Sequence, residues 1–253
     1  MNLIGFYALT EREVKRFLRI WQQTIIPPMI TSLLFLLIFG FSLGSRIREV
    51  DGISYIDFIL PGLVMMGILM SAYTNTSSSV YISKFQGNIQ EWLVAPLSYW
   101  QIIFGLTLAA VLRALLVGAG IIAVGLFFVS LSLQNVLVIL YFALLVSLLF
   151  SFAGIATGLW AANFDQVNVF ATFIITPLTY LGGVFYSIQM LPPFWKTMAQ
   201  FNPIFYMVDG FRYGFLGIHD VSLRYSMMIV FVLTLFFFLL CVQLLRTGYK
   251  VRS

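Results

Sequence analysis

Charge is what this chain has least of. Only 9% of its 253 residues are Asp, Glu, Lys or Arg, against roughly 25% in a soluble domain. With 61% hydrophobic residues and a mean hydropathy of +0.99, a water-soluble enzyme built around one core is excluded. There is one cysteine, Cys241, inside an apolar run, so a single chain can form neither a disulfide nor a cysteine metal site. There is one histidine, His219, in what reads as a solvated loop. No paired carboxylates or nucleophile elbow share a face, which leaves hydrolase and metal chemistry without parts. Nothing resembles G-x-x-x-x-G-K-[ST], so any ATP hydrolysis belongs to another polypeptide. The chain itself is expected to be no enzyme and to hold no cofactor or metal.

What the chain has instead is apolar runs long enough to cross a bilayer, which takes about 20 helical residues. They fall at 25–44, 58–80, 100–130, 136–162, 167–186 and 225–245. The fold class expected is an all-α polytopic membrane protein with six transmembrane helices. The Pro27-Pro28 pair sits in the first turn of the first run, where a missing N–H costs least. Residues 81–100 are too polar to span and carry Lys84, Gln86, Asn88, Gln90 and Glu91; they read as a loop with a short helix. Between the last two spans, 187–224 alternates short apolar pieces with Pro192, Pro193, Pro203, Gly210 and Gly214, the pattern of a re-entrant hairpin. No repeat is visible, and one domain fills the chain, 1–253.

Ahead of the spans, Arg12, Lys15, Arg16 and Arg19 recur at i, i+3, i+4 and i+7, and Val14, Phe17, Leu18 and Trp21 do so two positions later. Two positions on a helix is about 200°, so 6–22 is expected to lie in the headgroup region, basic face toward anionic lipid or cytosol. Such a start does not look like a cleavable signal peptide, and the N-terminus is expected to remain. The formal charge of +5 serves orientation rather than nucleic-acid binding. With the N-terminus inside, Arg12, Lys15, Arg16, Arg19, Lys84, Arg246, Lys250 and Arg252 are cytoplasmic, against Arg46, Arg48, Lys196, Arg212 and Arg224 outside. Eight against five places both termini in the cytoplasm.

The basic amphipathic start, the six spans, the loop Lys84-Phe85-Gln86-Gly87-Asn88-Ile89-Gln90-Glu91-Trp92-Leu93-Val94-Ala95-Pro96-Leu97, and the late Asn202-Pro203 followed by Gly210-Phe211-Arg212 together resemble the ABC-2 type transporter permeases. So does Thr176-Pro177-Leu178-Thr179-Tyr180-Leu181-Gly182-Gly183-Val184-Phe185-Tyr186 ahead of Leu191-Pro192-Pro193. The resemblance covers essentially the whole chain and is greatest to the YadH-like branch. It implies a single ABC-2 type transmembrane domain in the inner (plasma) membrane, working as a homodimer on two copies of a separate ATP-binding cassette subunit that carries the ATP and Mg. It further implies the permease half of an exporter, with the second and fifth spans lining a central pathway and the 81–100 loop acting as coupling helix. There Ile89, Trp92 and Leu93 would wedge into the ATPase and Glu91 would pair with a basic residue, while Pro96 ends the helix. Arg12 and Arg16 on the first helix would make the second contact, sharing the basic face with lipid. An amphiphilic, lipid-like, polysaccharide or drug-type substrate is expected.

Arg113 falls within the third span, where an unpaired charge costs about 2.5 to 3.5 kcal/mol. It either attracts an anionic substrate group or bonds the hydroxyls of 71–79, or it snorkels. Phe185 and Tyr186 head an aromatic crowd that runs through Phe194, Trp195, Phe201, Phe205, Tyr206, Phe211 and Tyr213. That crowd either guides an amphiphile outward or forms an interfacial belt. Asp209 and Arg212 are spaced to pair on one helix face. Two other functions stay open: an ion-coupled carrier, although no acidic residue falls inside a span, and a membrane scaffold without transport.

Overall fold

A computed structural model describes residues 3–44, 49–50, 52–88, 97–129 and 133–248, and these are mostly helical. Helix α1 (Leu3–Arg19) leads through α2 (Trp21–Thr24) and α3 (Ile26–Leu37) into a π-helical turn, Ile38–Leu43. Two short strands, β1 (Glu49–Val50) and β2 (Ile53–Ser54), pair antiparallel, with Gly52 at φ 78° in their turn. Then come α4 (Tyr55–Phe85), α5 (Tyr99–Gly125), α6 (Val136–Trp160) and a broken run, α7 (Phe164–Val169), a π segment (Phe170–Ile175) and α8 (Thr176–Leu181). A 3-10 turn (Ile188–Met190), α9 (Pro193–Gln200), α10 (Pro203–Leu216) and α11 (Leu223–Thr247) complete the described chain.

Five helical segments among the described residues are long and apolar enough to cross a membrane: Trp21–Gly40, Tyr55–Phe85, Tyr99–Gly125, Val136–Trp160 and Leu223–Thr247. The second is longer than its apolar run, because Tyr81 to Phe85 continue the helix before Gly87 (φ 77°) ends it. The third stops at Gly125, short of 130. The run at 167–186 is helical only to Leu181 and is interrupted. Pro177 supplies no N–H, and the Thr176 hydroxyl donates to the Ala171 carbonyl at 2.8 Å, satisfying part of the disturbed ladder.

Helix ends follow local chemistry. Ser98 and Gln101 form a reciprocal capping box on α5. Asn135, Asn163 and Asn202 accept N–H bonds at the starts of α6, α7 and α10. Gly217 and Gly248, both left-handed, terminate α10 and α11. At the other end of α6, the Lys84 ammonium donates to the Leu159 and Ala161 carbonyls at 3.0 and 3.1 Å, a cation at a helix C-terminus.

Helix α4 is the axis of the bundle, buried over 78% of its apolar window against 22% for the first and last spans. It packs most heavily on α6 and α5. Gly154 and Gly158, four apart on α6, make that approach possible. A Cβ on Gly154 would stand 2.5 Å from the Tyr73 carbonyl, and one on Gly158 would stand 2.8 Å from that of Ser77. The Thr76 hydroxyl bonds across to the Ser151 carbonyl at 2.9 Å. This is the small-xxx-small contact by which helices associate in lipid, where burial of apolar surface offers no driving force.

Candidate functional site

At the end of the bundle that carries α1, the inward face of that helix is Leu9, Glu13 and Phe17, one residue per turn. Leu18 and Trp21, expected to share the apolar face, are exposed. Glu13 is 1% exposed, and one of its oxygens accepts from the Ser79 hydroxyl at 2.6 Å and from Arg16 Nε at 3.0 Å. A terminal nitrogen of Arg16 donates to both the side-chain and main-chain oxygens of Asn75 at 3.0 Å. Arg113 reaches the same Asn75 side-chain oxygen at 3.3 Å, the Thr24 carbonyl at 3.3 Å and the Thr74 hydroxyl at 3.5 Å. One buried carboxylate and two guanidinium groups thus tie α1, α2, α4 and α5 together. Among the described residues, the other Glu13 oxygen and Arg113 Nε meet no hydrogen-bond partner.

Such a network is costly to assemble and costly to break, because the low dielectric strengthens every contact made and penalises every group left over. It bonds α1 and α2 to the second and third spans. Arg113 therefore does bond the 71–79 stretch, through Asn75 and Thr74. Arg16 turns inward, whereas Arg12 is exposed. On the outward side Lys15 and Glu11 meet at 2.6 Å, an exposed pair of small energetic weight.

Between Phe58 and Val80 on α4 only Met66, Met70, Thr74 and Ser78 are partly open. They form a stripe, one residue per turn, that meets the network at Thr74. The interrupted run beside it touches α4 through the Tyr73 hydroxyl on the Val167 carbonyl (3.2 Å) and through Tyr81 against Phe164. It leaves Asp165, Asn168 and Thr172 exposed, polar groups where a lipid-facing helix would carry none.

Phe185 and Tyr186 lie at the opposite end. The Phe185 ring meets Phe35 edge-on and lies tilted against Phe39 and Tyr180, and its carbonyl accepts the Tyr55 hydroxyl at 2.9 Å, while the Tyr186 hydroxyl donates to the Leu181 carbonyl. Asn75 and Tyr55 are 20 residues apart on α4, roughly 30 Å of helix, so Arg113 and these aromatics do not form one site. Ile89, Glu91, Trp92 and Leu93 lie outside the described residues. Glu13 and Asn75 were not singled out from sequence. Asn75 is the one amide in the 71–79 stretch, a signal that could have found it; Glu13 lies between members of the basic repeat on α1 and carries no local mark of burial.

Asp209 and Arg212 are each spent on the backbone of other elements. The Arg212 guanidinium lies 3.8 Å over the Phe58 ring and donates to the carbonyls of Phe58 and Gly183. Asp209 accepts from the N–H groups of Asp220 and Val221, and Asp220 in turn receives the Ser187 hydroxyl and the Ile188 N–H. Burial pushes the Asp209 carboxyl up to about 6 from 3.8, outweighing those N–H donors and Arg212. A carboxyl raised on folding holds a proton where the unfolded chain does not, so stability falls as pH rises from 3.8 to about 6. Asp209→Asn is expected to flatten the dependence of melting temperature on pH in that window; an unchanged slope would remove Asp209 as its source. His219 is exposed, and Cys241 is buried, its thiol on the Phe152 carbonyl.

A family model described as ABC-2 type transporter matches residues 5–216. The chain is 45% identical over 252 residues to the inner membrane transport permease YadH of Escherichia coli strain K12, covering 99% of this chain and 98% of that one. It is 26% identical over 228 residues to nodulation protein J of Rhizobium leguminosarum bv. viciae, covering 85% and 86%. To nodulation protein J of Sinorhizobium fredii it is 29% identical over 204 residues, covering 78% and 77%.

Proposed function

The chain belongs to the ABC-2 type transporter family, and on that footing we propose that this membrane transport permease is the membrane half of an ATP-driven exporter. It works as a homodimer on two copies of a separate ATP-binding subunit. The observation that carries the reading is the buried network of Glu13, Arg16, Asn75 and Arg113, which bonds a helix outside the spans to two of the spans. A push from a partner at the α1 end reaches α4 through Asn75, next to the open stripe of Met66, Met70, Thr74 and Ser78. That stripe, with Asp165, Asn168 and Thr172, lines the route of an amphiphilic, lipid-like, polysaccharide or drug-type substrate out of the cytoplasm. Following the Escherichia coli relative, the chain resides in the inner membrane. Both termini face the cytoplasm, the interrupted run forms the sixth crossing, and 187–224 dips in and returns.

Between α4 and α5, the segment with Ile89, Glu91, Trp92 and Leu93 docks in the ATP-binding subunit, and the exposed Arg12 on α1 makes the second contact. An ion-coupled carrier normally holds its coupling ion on a carboxylate near the bilayer midplane; Glu13 lies on α1, outside the spans, where one of its oxygens accepts from Arg16 and Ser79. The test is Glu91→Lys with Trp92→Ala in the purified complex. Reversing a charge at a docked contact costs a few kcal/mol, so ATP turnover coupled to the permease is expected to fall at least tenfold with membrane insertion intact. Unchanged assembly and unchanged coupling would remove this segment from the interface.

A further inference from the structure

The interrupted run meets the rest of the bundle along one line of side chains. Val167, Ala171, Ile175 and Thr179 are buried, four residues apart each time. That spacing does not suit an α-helix. At about 100° per residue, the stretch from Val167 to Thr179 would turn through about 1200°, leaving Thr179 about 120° off the line that Val167 starts. The π segment Phe170–Ile175 removes the drift. Its i→i+5 bonding winds about 4.4 residues per turn, about 82° each. With 6 residues wound in this way, the stretch turns through about 1090°, within about 10° of complete turns.

The other faces of the run are kept in phase in the same way, and their chemistry sorts accordingly. One position on from the buried line come Asn168, Thr172, Thr176 and Tyr180, an amide and three hydroxyls, exposed except for the half-buried Thr176. Two positions on come Val169, Phe173, Pro177 and Leu181, all apolar and exposed. One position back, Phe170, Ile174 and Leu178 wall an apolar cleft against α6 and α11. Each half of the run is also pinned to the bundle by a side chain on a backbone carbonyl: the Tyr73 hydroxyl on that of Val167 and the Asn202 amide on that of Leu178. Six π-helical residues cover the same angle as five α-helical ones, about 490° against about 500°. Between these two pins the run therefore carries one residue more than a regular α-helix would need.

We propose that the π segment is a positioning device: its extra residue brings Thr176 and Tyr180 onto the polar face of Asn168 and Thr172, and so carries the route of the transported molecule along the whole run. The proposal rests on the route assigned above, and the two are read at different positions. In the full chain in membranes, with Cys241→Ala, single cysteines are placed at Asn168, Val169, Thr179, Tyr180 and Leu181 and exposed to a small hydrophilic maleimide. Only a hydrated thiol ionises and reacts, so Asn168→Cys and Tyr180→Cys are expected to label at least about tenfold faster than Val169→Cys and Leu181→Cys. Deleting Phe173 is expected to leave this pattern unchanged, because five α-helical residues then replace six π-helical ones. Inserting one alanine after Phe173 is expected to move the label in α8 from Tyr180→Cys to Thr179→Cys while Asn168→Cys labels as before, a change of phase that a loss of stability does not produce. In a regular α-helix the deletion would turn α8 by about 100° and pass the label from Tyr180→Cys to Leu181→Cys. That result overturns the proposal, as does an insertion that leaves the label on Tyr180→Cys, or a Tyr180→Cys that stays unlabelled beside a labelled Asn168→Cys. A silent Asn168→Cys removes the route from this run, and the positioning with it. Should the chain with the insertion fail to fold, the deletion decides.

Discussion

Glu13→Gln is expected to destabilise the α1 end of the bundle by about 3–5 kcal/mol, the range for removing one member of a buried ion pair. Among the described residues, Glu13 is the carboxylate that bonds into the network. Without its charge, Arg16 and Arg113 share the Asn75 oxygen as two uncompensated guanidinium groups. The effect should appear as a lower melting temperature in detergent and as new protease sensitivity in α1. Glu13→Gln combined with Arg16→Met is expected to recover much of the loss, because replacing a whole buried pair by apolar groups is far less costly than breaking it. A single variant as stable as the native chain would show that Glu13 does not hold the helix in place.

Gly154→Leu is expected to disrupt the crossing of α4 and α6 itself. The first added carbon would sit 2.5 Å from the Tyr73 carbonyl and 3.1 Å from the Ser77 nitrogen, both backbone atoms of α4. Neither can retreat without unpacking the most buried helix. Overpacking a tight site typically costs 1–3 kcal/mol and sometimes more, and here α6 must separate from α4 along its length. The variant should elute as aggregate on size exclusion, whereas Leu112→Ala, on the exposed face of α5, should elute as the native chain does. A monodisperse Gly154→Leu protein would contradict the crossing described.

Long apolar runs announced where most spans lie, since length and hydropathy alone decide whether a helix can cross. The basic repeat on α1 announced that helix too, but not its inward face. Periodicity grouped Arg16 with Arg12 and Lys15, and only the tertiary contact with Asn75 turns it inward. Nothing local marks Glu13 as buried: Arg16 is its neighbour one turn along α1, but the burial depends on α4 bringing in Ser79. Gly154 and Gly158 carry a legible small-xxx-small spacing, yet which helix they admit is settled by a partner 77 to 81 residues upstream of them, from Tyr73 to Ser77. The interruption at Phe170–Ile175 was partly visible in Pro177. Arg113 illustrates the opposite case: the cost of a charge in a span required a partner, and the hydroxyl-rich stretch of α4 was the nearest supply.

The central claim is that ATP hydrolysed on a separate subunit drives this permease through the segment between α4 and α5. The measurement that reaches it most directly is labelling of Gln90→Cys, in a background with Cys241→Ala, using a membrane-impermeant thiol reagent on intact cells and on inside-out vesicles. Labelling is expected only in the vesicles, and it is expected to be blocked when the ATP-binding subunit is bound. Labelling from outside intact cells, or labelling indifferent to that subunit, would contradict it.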